Sequence, residues 1–394
     1  MASLPRNVWL LTIAQSLMMA VSSMVVFAGG LIGTKLAPFD KLSTLPIACM
    51  VVGTASAVVP VTFLMKRLGR KRSFIFILIY SIIISLLAAY TIYWQAFYWF
   101  CASTFLFGVT NACVMQFRFA AMESVTPDLI PNAASSVLLG GIAAAFIGPE
   151  AAVFGKDLLP TEFMGSFLLL ALLFVAALLV LLGFKNLKIE LVEFENAPRT
   201  MKVISKQPVF WVAILSAAVG YMIMSFIMTA TPVSMHVMDG HSLSQTKWVI
   251  QSHIIAMYLP SIFTAWIVKK LGITKMMIYG LIAYLVCLAI AYSGHHLGNY
   301  WISLVLLGIG WNFLFIGGTT LLPQAYLPNE RFKVQAFNEF IVFGTQAIAS
   351  LSAGWIVYAV GWEAMLLFTL PIIFIQMIVI LRWSRSKARA TTIQ

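Results

Sequence analysis

Read from its first residue, the chain alternates long apolar runs with short polar breaks from end to end. Twelve runs can be drawn, at 7–33, 44–65, 73–93, 97–122, 133–157, 163–184, 208–235, 246–268, 275–294, 299–325, 335–359 and 362–382. An α-helix needs about 20 apolar residues to cross a hydrocarbon core of about 30 Å. Inside lipid every backbone N–H and C=O must be bonded within its own segment, so runs of this length predict helices. The alternating segments of about ten residues that build a membrane barrel are not seen. The shallowest breaks are Tyr93-Trp94-Gln95 and Val360-Gly361. The pattern therefore predicts an all-α membrane protein with twelve transmembrane helices.

Composition agrees with the pattern. Of 394 residues, 61% are hydrophobic and 10% charged, against about 25% charged in soluble domains. Such a chain lacks the polar surface of a water-facing globule. The net charge of +12 changes the picture only through its placement. With both termini in the cytoplasm, the inside segments hold 20 of the 25 basic residues, clustered at 66–72, 185–206, 269–275, 331–333 and 382–389. The outside segments hold Lys35, Lys41, Lys156 and Lys247, and Arg118 falls within a span. This is the positive-inside asymmetry, and an odd number of spans would scramble it. It predicts a multi-pass inner-membrane protein with both termini in the cytoplasm, and it turns the charge away from nucleic acid. Cys49, Cys101, Cys113 and Cys287 all lie in apolar runs without metal-like spacing, so neither a disulfide nor a metal site is expected. The first run has no cleavage site and is read as a retained helix.

The two halves repeat. Leu64-Met65-Lys66-Arg67-Leu68-Gly69 follows the second span, and Val268-Lys269-Lys270-Leu271-Gly272 follows the eighth. Each copy leads into an apolar run ending in Ala-Tyr, at Tyr90 and Tyr292. The longest polar stretch lies between. The expected organisation is a six-helix bundle at 1–184, a cytoplasmic linker at 185–207 and a second bundle at 208–394. Parallel repeats of this kind place a solute site between the halves, near the membrane midplane.

On these residues the whole chain resembles the major facilitator superfamily (MFS). The resemblance rests on the six-plus-six layout, the loop Lys66-Arg67-Leu68-Gly69-Arg70-Lys71-Arg72, and Gly148-Pro149 in the fifth span. Three stretches are also similar to a bacterial subgroup of these permeases: Arg118 to Glu123, Gly140-Gly141 through Glu150, and Gly310 to Gly318. The resemblance implies two bundles related by a pseudo-two-fold axis. It also implies a cavity lined by the first, fourth, seventh and tenth spans, and gating at the cytoplasmic loop around Lys66, Arg67, Gly69 and Arg70. Two positions depart from the family. Lys66 stands near the place where the first loop usually carries an acidic residue, and Thr104 stands where drug antiporters usually keep an Arg early in the fourth span.

Ionisable residues within spans are costly and mark function by default. Glu150, directly after Pro149, is the expected proton-coupling carboxyl, set against a carboxyl at the outer mouth that merely meets water. His253 is its expected partner, or else a neutral helix-to-helix hydrogen bonder. Arg118 and Glu123 are read as a gate pair, and Arg118 also as a binder of substrate through its planar fork. Asn111, Gln116, Tyr221, Trp311 and Asn312 complete the substrate-binding set. Glu339 is given a role at the start of its helix. No GxxxxGK phosphate loop occurs, so ATP-driven transport is not expected. The function expected is a secondary active transporter working by alternating access as a monomer. It moves a small organic solute with protons, by symport, with uptake favoured by Thr104. The alternatives are an efflux antiporter and a non-transporting sensor. No enzyme activity and no cofactor are expected.

Overall fold

The computed structural model describes residues 4–126, 129–185 and 199–392. It is helical, with no strand among the described residues. The helices are α1 (Arg6–Leu36), α2 (Leu45–Leu68), α3 (Arg70–Tyr93), α4 (Phe97–Met122), α5 (Ile130–Lys156), α6 (Met164–Leu182), α7 (Pro208–Met238), α8 (243–271), α9 (Ile273–Tyr292), α10 (Leu297–Leu321), α11 (331–360) and α12 (362–392). Ten apolar helices among the described residues are each long enough to cross a membrane. The last of them bends at Gly361, where φ is 85° and ψ 172°, into α11 and α12. The missing twelfth is α8, whose regular winding stops at Tyr258 and resumes at Thr264 after a 3₁₀ turn through Pro260. A proline there removes one backbone donor and its ring obstructs the preceding turn.

The sequence repeat is a backbone repeat. Gly69 sits at φ 78° and ψ 162° between α2 and α3, and Gly272 at φ 78° and ψ 157° between α8 and α9. This region is open only to glycine. It makes each helix pair turn back at the same angle, so the end carrying these basic loops has equivalent geometry in both halves. Within the first half, α2 and α4 touch backbone to backbone: a Cβ on Gly108 would fall 2.1 Å from the Gly53 carbonyl carbon. Small residues allow this approach, which replaces the hydrophobic drive that lipid removes.

The basic end is held together inside each half. Arg70 grips Glu123 with two hydrogen bonds, Nε to Oε2 at 2.6 Å and Nη2 to Oε1 at 2.5 Å. Lys71 caps the Leu182 carbonyl, and Asn7 bonds the Lys185 carbonyl. In the second half Glu330, 0% exposed, accepts from the Arg199 backbone N–H, from Arg199 Nε and Nη2, and from the Leu327 N–H, all within 2.8 Å. The Arg199 guanidinium, aided by the backbone donors, holds this carboxyl down at about 2. All four cysteines are free thiols.

Candidate functional site

The halves meet at the end away from the basic loops. A Cβ on Gly354 of α11 would lie 1.9 Å from Thr44 Oγ1 at the head of α2. Lys41 lies over the Trp355 ring at 5.8 Å. Glu150 of α5 accepts from Lys247 Nζ at 2.8 Å and from Gln251 Nε2 at 3.3 Å, both on α8. Deeper in, Val233 of α7 packs against the Gly30 backbone of α1. The polar ties of the basic end described above join a half to itself or to the adjoining 185–207 segment, and none joins one half to the other. The two bundles thus meet at the far end and, among the described residues, share no polar tie toward the basic end, where the partly exposed Tyr221, Phe315, Arg118 and Glu339 between them mark a cleft.

Aromatic side chains line that cleft midway along the helices. Tyr221 on α7 meets Trp311 at 5.1 Å, Phe315 at 5.2 Å and Phe343 at 5.6 Å between ring centroids. Trp311 and Phe315 lie parallel at 5.0 Å, and Tyr258 of α8 stands edge-on to Trp311 at 5.9 Å. Tyr221, Tyr258 and Phe315 are partly exposed, while Trp311 is buried beneath them. The first half supplies the opposite wall. Its Met19 Sδ accepts from the Tyr258 hydroxyl, its Gly141 faces the Tyr258 ring, and its Arg118 guanidinium lies 6.0 Å from the Phe315 ring centre. The missing side chain of Gly141 lets the Tyr258 ring pack against its backbone, and the partly exposed ring edges and faces of Tyr221 and Phe315 favour a stacked planar guest.

Polar atoms without partners border the same space. Arg118 Nε, Trp311 Nε1 and Gln15 Oε1 are buried and make no hydrogen bond. A buried polar atom left unpaired costs about 1–3 kcal/mol, so these atoms have a stake in any guest that pairs with them. Glu339 of α11 lies within electrostatic reach of Arg118 and Tyr221. It is two turns inside its helix, because α11 starts at Arg331 rather than at 335. The expected helix-start role for Glu339 is therefore corrected: the carboxyl faces the cleft. Glu123 does not pair with Arg118, since Arg70 takes both of its oxygens.

The other sequence-predicted residues separate into three places. Asn111 accepts from Ser22 Oγ and donates to Thr54 Oγ1, tying α4 to α1 and α2 within the first half. Gln116 is buried where α4 breaks, its carbonyl accepting from Arg70. Asn312 points away from the cleft and donates to the Met257 carbonyl and Ser261 Oγ of α8, both at 2.7 Å. His253 is buried with Nδ1 2.7 Å from the Leu304 carbonyl and Nε2 unpaired, on the opposite side of α8 from Gln251. The structure therefore does not bring His253 and Glu150 together. Glu150 itself is 55% exposed and bound to Lys247, so it lacks the desolvated setting expected of it. Arg67 covers the Phe63 ring at 4.4 Å on the outside of the bundle, and the side chain of Lys66 lies outside the described residues. Arg118, Tyr221 and Trp311 are the predicted residues that gather at the cleft. The sequence reading missed Gln15, Tyr258, Phe315 and Phe343, and gave Glu339 a different role. The visible signal for Glu339 was a carboxyl lying inside the apolar run 335–359.

Comparison with known proteins follows the same line. Residues 219–393 match the family model described as Major Facilitator Superfamily. Over 388 residues the chain is 34% identical to the riboflavin transporter RfnT of Brucella anthropi, spanning 98% of this chain and 97% of that one. Two solved structures share the fold at 13% identity. One is a bacterial homolog of the human lysosomal transporter Spinster in an inward-facing, unoccupied conformation, with a TM-score of 0.69 over 98% of both chains. The other is the human organic anion transporter MFSD10, with a TM-score of 0.70 over 96% of this chain and 100% of that one. With this relative matched end to end and with twelve helices in two repeated halves, the chain belongs to the major facilitator superfamily of membrane transporters.

Proposed function

We propose that this protein takes up a planar, uncharged aromatic solute of the flavin class across the bacterial inner membrane. The observation that carries the reading is the aromatic cleft, where Tyr221, Phe315 and Tyr258 sit beside unpaired donors on Arg118 and Trp311. A flavin offers what those groups lack: a fused ring to stack and carbonyl and ring-nitrogen acceptors along one edge. The similarity to a riboflavin transporter over nearly the whole chain supports the choice of solute. The positive-inside asymmetry supports a cytoplasmic setting for the open end of the cleft and for both termini.

In this reading the bodies that rock are residues 1–184 and 208–394, joined by the linker 185–207, and the protein works as a monomer. Thr44 against Gly354 and Glu150 against Lys247 form the outer seal. Opening that seal while the basic end closes moves the site from one face of the membrane to the other. Proton coupling supplies the driving force. The test is a titration of riboflavin fluorescence with the purified transporter. Stacking on Tyr221 and Phe315 gives saturable quenching at one site per chain. Quenching that rises without saturation sinks the solute assignment.

A further inference from the structure

We propose that Glu339 is the proton-carrying group of the transport cycle, and that Arg118 of the opposite half is the charge it meets when no solute is bound. The proposal rests on reading the aromatic cleft as the solute site. Glu339 is a partly exposed carboxyl deep in a membrane helix, with no hydrogen bond or ion pair to any described residue. Among the described residues Arg118 has its Nε unpaired and makes ring contacts with Phe119 and Phe315. Phe343, one turn after Glu339 on the same face of α11, meets the Tyr221 ring at 5.6 Å, Tyr221 meets Phe315 at 5.2 Å, and the Arg118 guanidinium of α4 lies 6.0 Å from the Phe315 ring centre, so the carboxyl and the guanidinium flank one aromatic cluster from opposite halves, within electrostatic reach of each other. Tyr221 from α7 is in electrostatic reach of Glu339, and Tyr258 from α8 is in reach of Tyr221 and Arg118. The α10 side chains around Tyr221 are Trp311 and Phe315, which do not titrate.

While the cleft is open, water solvates both charges. Closure of the basic end removes that water, and an isolated carboxylate or guanidinium at membrane depth is expensive. Two arrangements avoid the cost. In the empty carrier the walls approach and Glu339 pairs with Arg118. In the loaded carrier the solute lies between them and takes the Arg118 N–H. Glu339 then closes in only as the neutral acid, because arginine keeps its charge. The step is one O–H bond, formed on a Glu339 oxygen with a proton from water at the outer mouth and broken into cytoplasmic water after the swing. Glu150 cannot fill this role in the same way, since Lys247 already holds it in the sealed state.

The experiment uses proteoliposomes, with membrane voltage clamped to zero by potassium and valinomycin and with riboflavin as the probe. Wild type under a gradient of one pH unit is expected to accumulate riboflavin about tenfold, the limit for one proton per solute. Glu339→Gln is expected to accumulate none above equilibrium while keeping riboflavin counterflow without a gradient, and Glu339→Asp to recover part of the accumulation. Wild-type accumulation by Glu339→Gln overturns the proposal, as does wild-type counterflow that ignores the gradient. Absence of wild-type counterflow means that the solute reading has failed. A solute-free measurement then decides on Glu339. Spin labels at Thr126 and Lys270 report closure of the basic end in the empty carrier. Acidification from pH 8 to 5 is expected to open that end in wild type, where it neutralises the pair, and to change nothing in Glu339→Gln. Equal pH responses in the two proteins overturn the proposal.

Discussion

Replacing Gly354 by alanine adds one methyl group, and the structure leaves no room for it. The new Cβ would lie 1.9 Å from Thr44 Oγ1, 3.0 Å from its Cβ and 3.2 Å from its Cγ2, where ordinary contact begins near 3.4 Å. Thr44 is buried at the head of α2, so its side chain has no free space to turn into. The contact joins opposite halves, and the clash is therefore relieved by parting them. Overpacking of this kind costs about 1–3 kcal/mol, charged here to the state with the far end sealed. At about 1.4 kcal/mol per decade, the balance moves between roughly fivefold and 150-fold toward the opposite conformation. Spin labels at Asp157→Cys and Ser244→Cys, in a background without the four native cysteines, report the far-end separation directly. A new, longer distance is expected in Gly354→Ala, with slowed uptake. Removing Thr44's side chain as well, in Thr44→Gly with Gly354→Ala, restores the short distance. An unchanged distance distribution in the single variant refutes the assignment of this contact as the outer seal.

Two further outcomes follow from the same geometry. Truncating Phe315 to alanine removes a ring from the cleft wall, and losing one aromatic stacking surface costs about 1–3 kcal/mol. Riboflavin affinity is expected to fall by about fivefold to 150-fold, read from fluorescence quenching, whereas an unchanged affinity returns Phe315 to packing. At the basic end, the Glu330 carboxyl is held at about 2, below its usual 4.5. Its contribution to stability is complete above pH 4.5 and is lost as the pH falls from there toward 2. Arg199→Ala leaves the buried carboxylate unpaired, at a cost of about 3–5 kcal/mol. Thermal unfolding in detergent should show that loss at pH 7 and little difference from wild type near pH 2.

The periodic features of the molecule were legible because each depends on local chemistry. Apolar runs fix the helices, because length and hydropathy are read residue by residue. The Leu-Gly repeat marked two positions whose backbones coincide at Gly69 and Gly272. The site was harder to read, because it depends on which way a side chain points. Gln251 and His253 are two residues apart and face opposite sides of α8, one toward Glu150 and the other toward Leu304. Trp311 and Asn312 are adjacent, yet one sits under the cleft and the other ties α10 to α8. Glu339 was misplaced by four residues of helix start, enough to move it from a helix end to the cleft. Lys247 comes from the other half of the chain, so no local pattern announced it as the partner of Glu150.

The most direct test of flavin transport through this cleft is riboflavin counterflow into proteoliposomes holding the purified protein. Vesicles preloaded with unlabelled riboflavin should transiently accumulate labelled riboflavin from outside, and at sub-saturating riboflavin the overshoot should shrink in Phe315→Ala. Vesicles that show no overshoot above protein-free controls, with folded wild-type protein present, contradict the assignment.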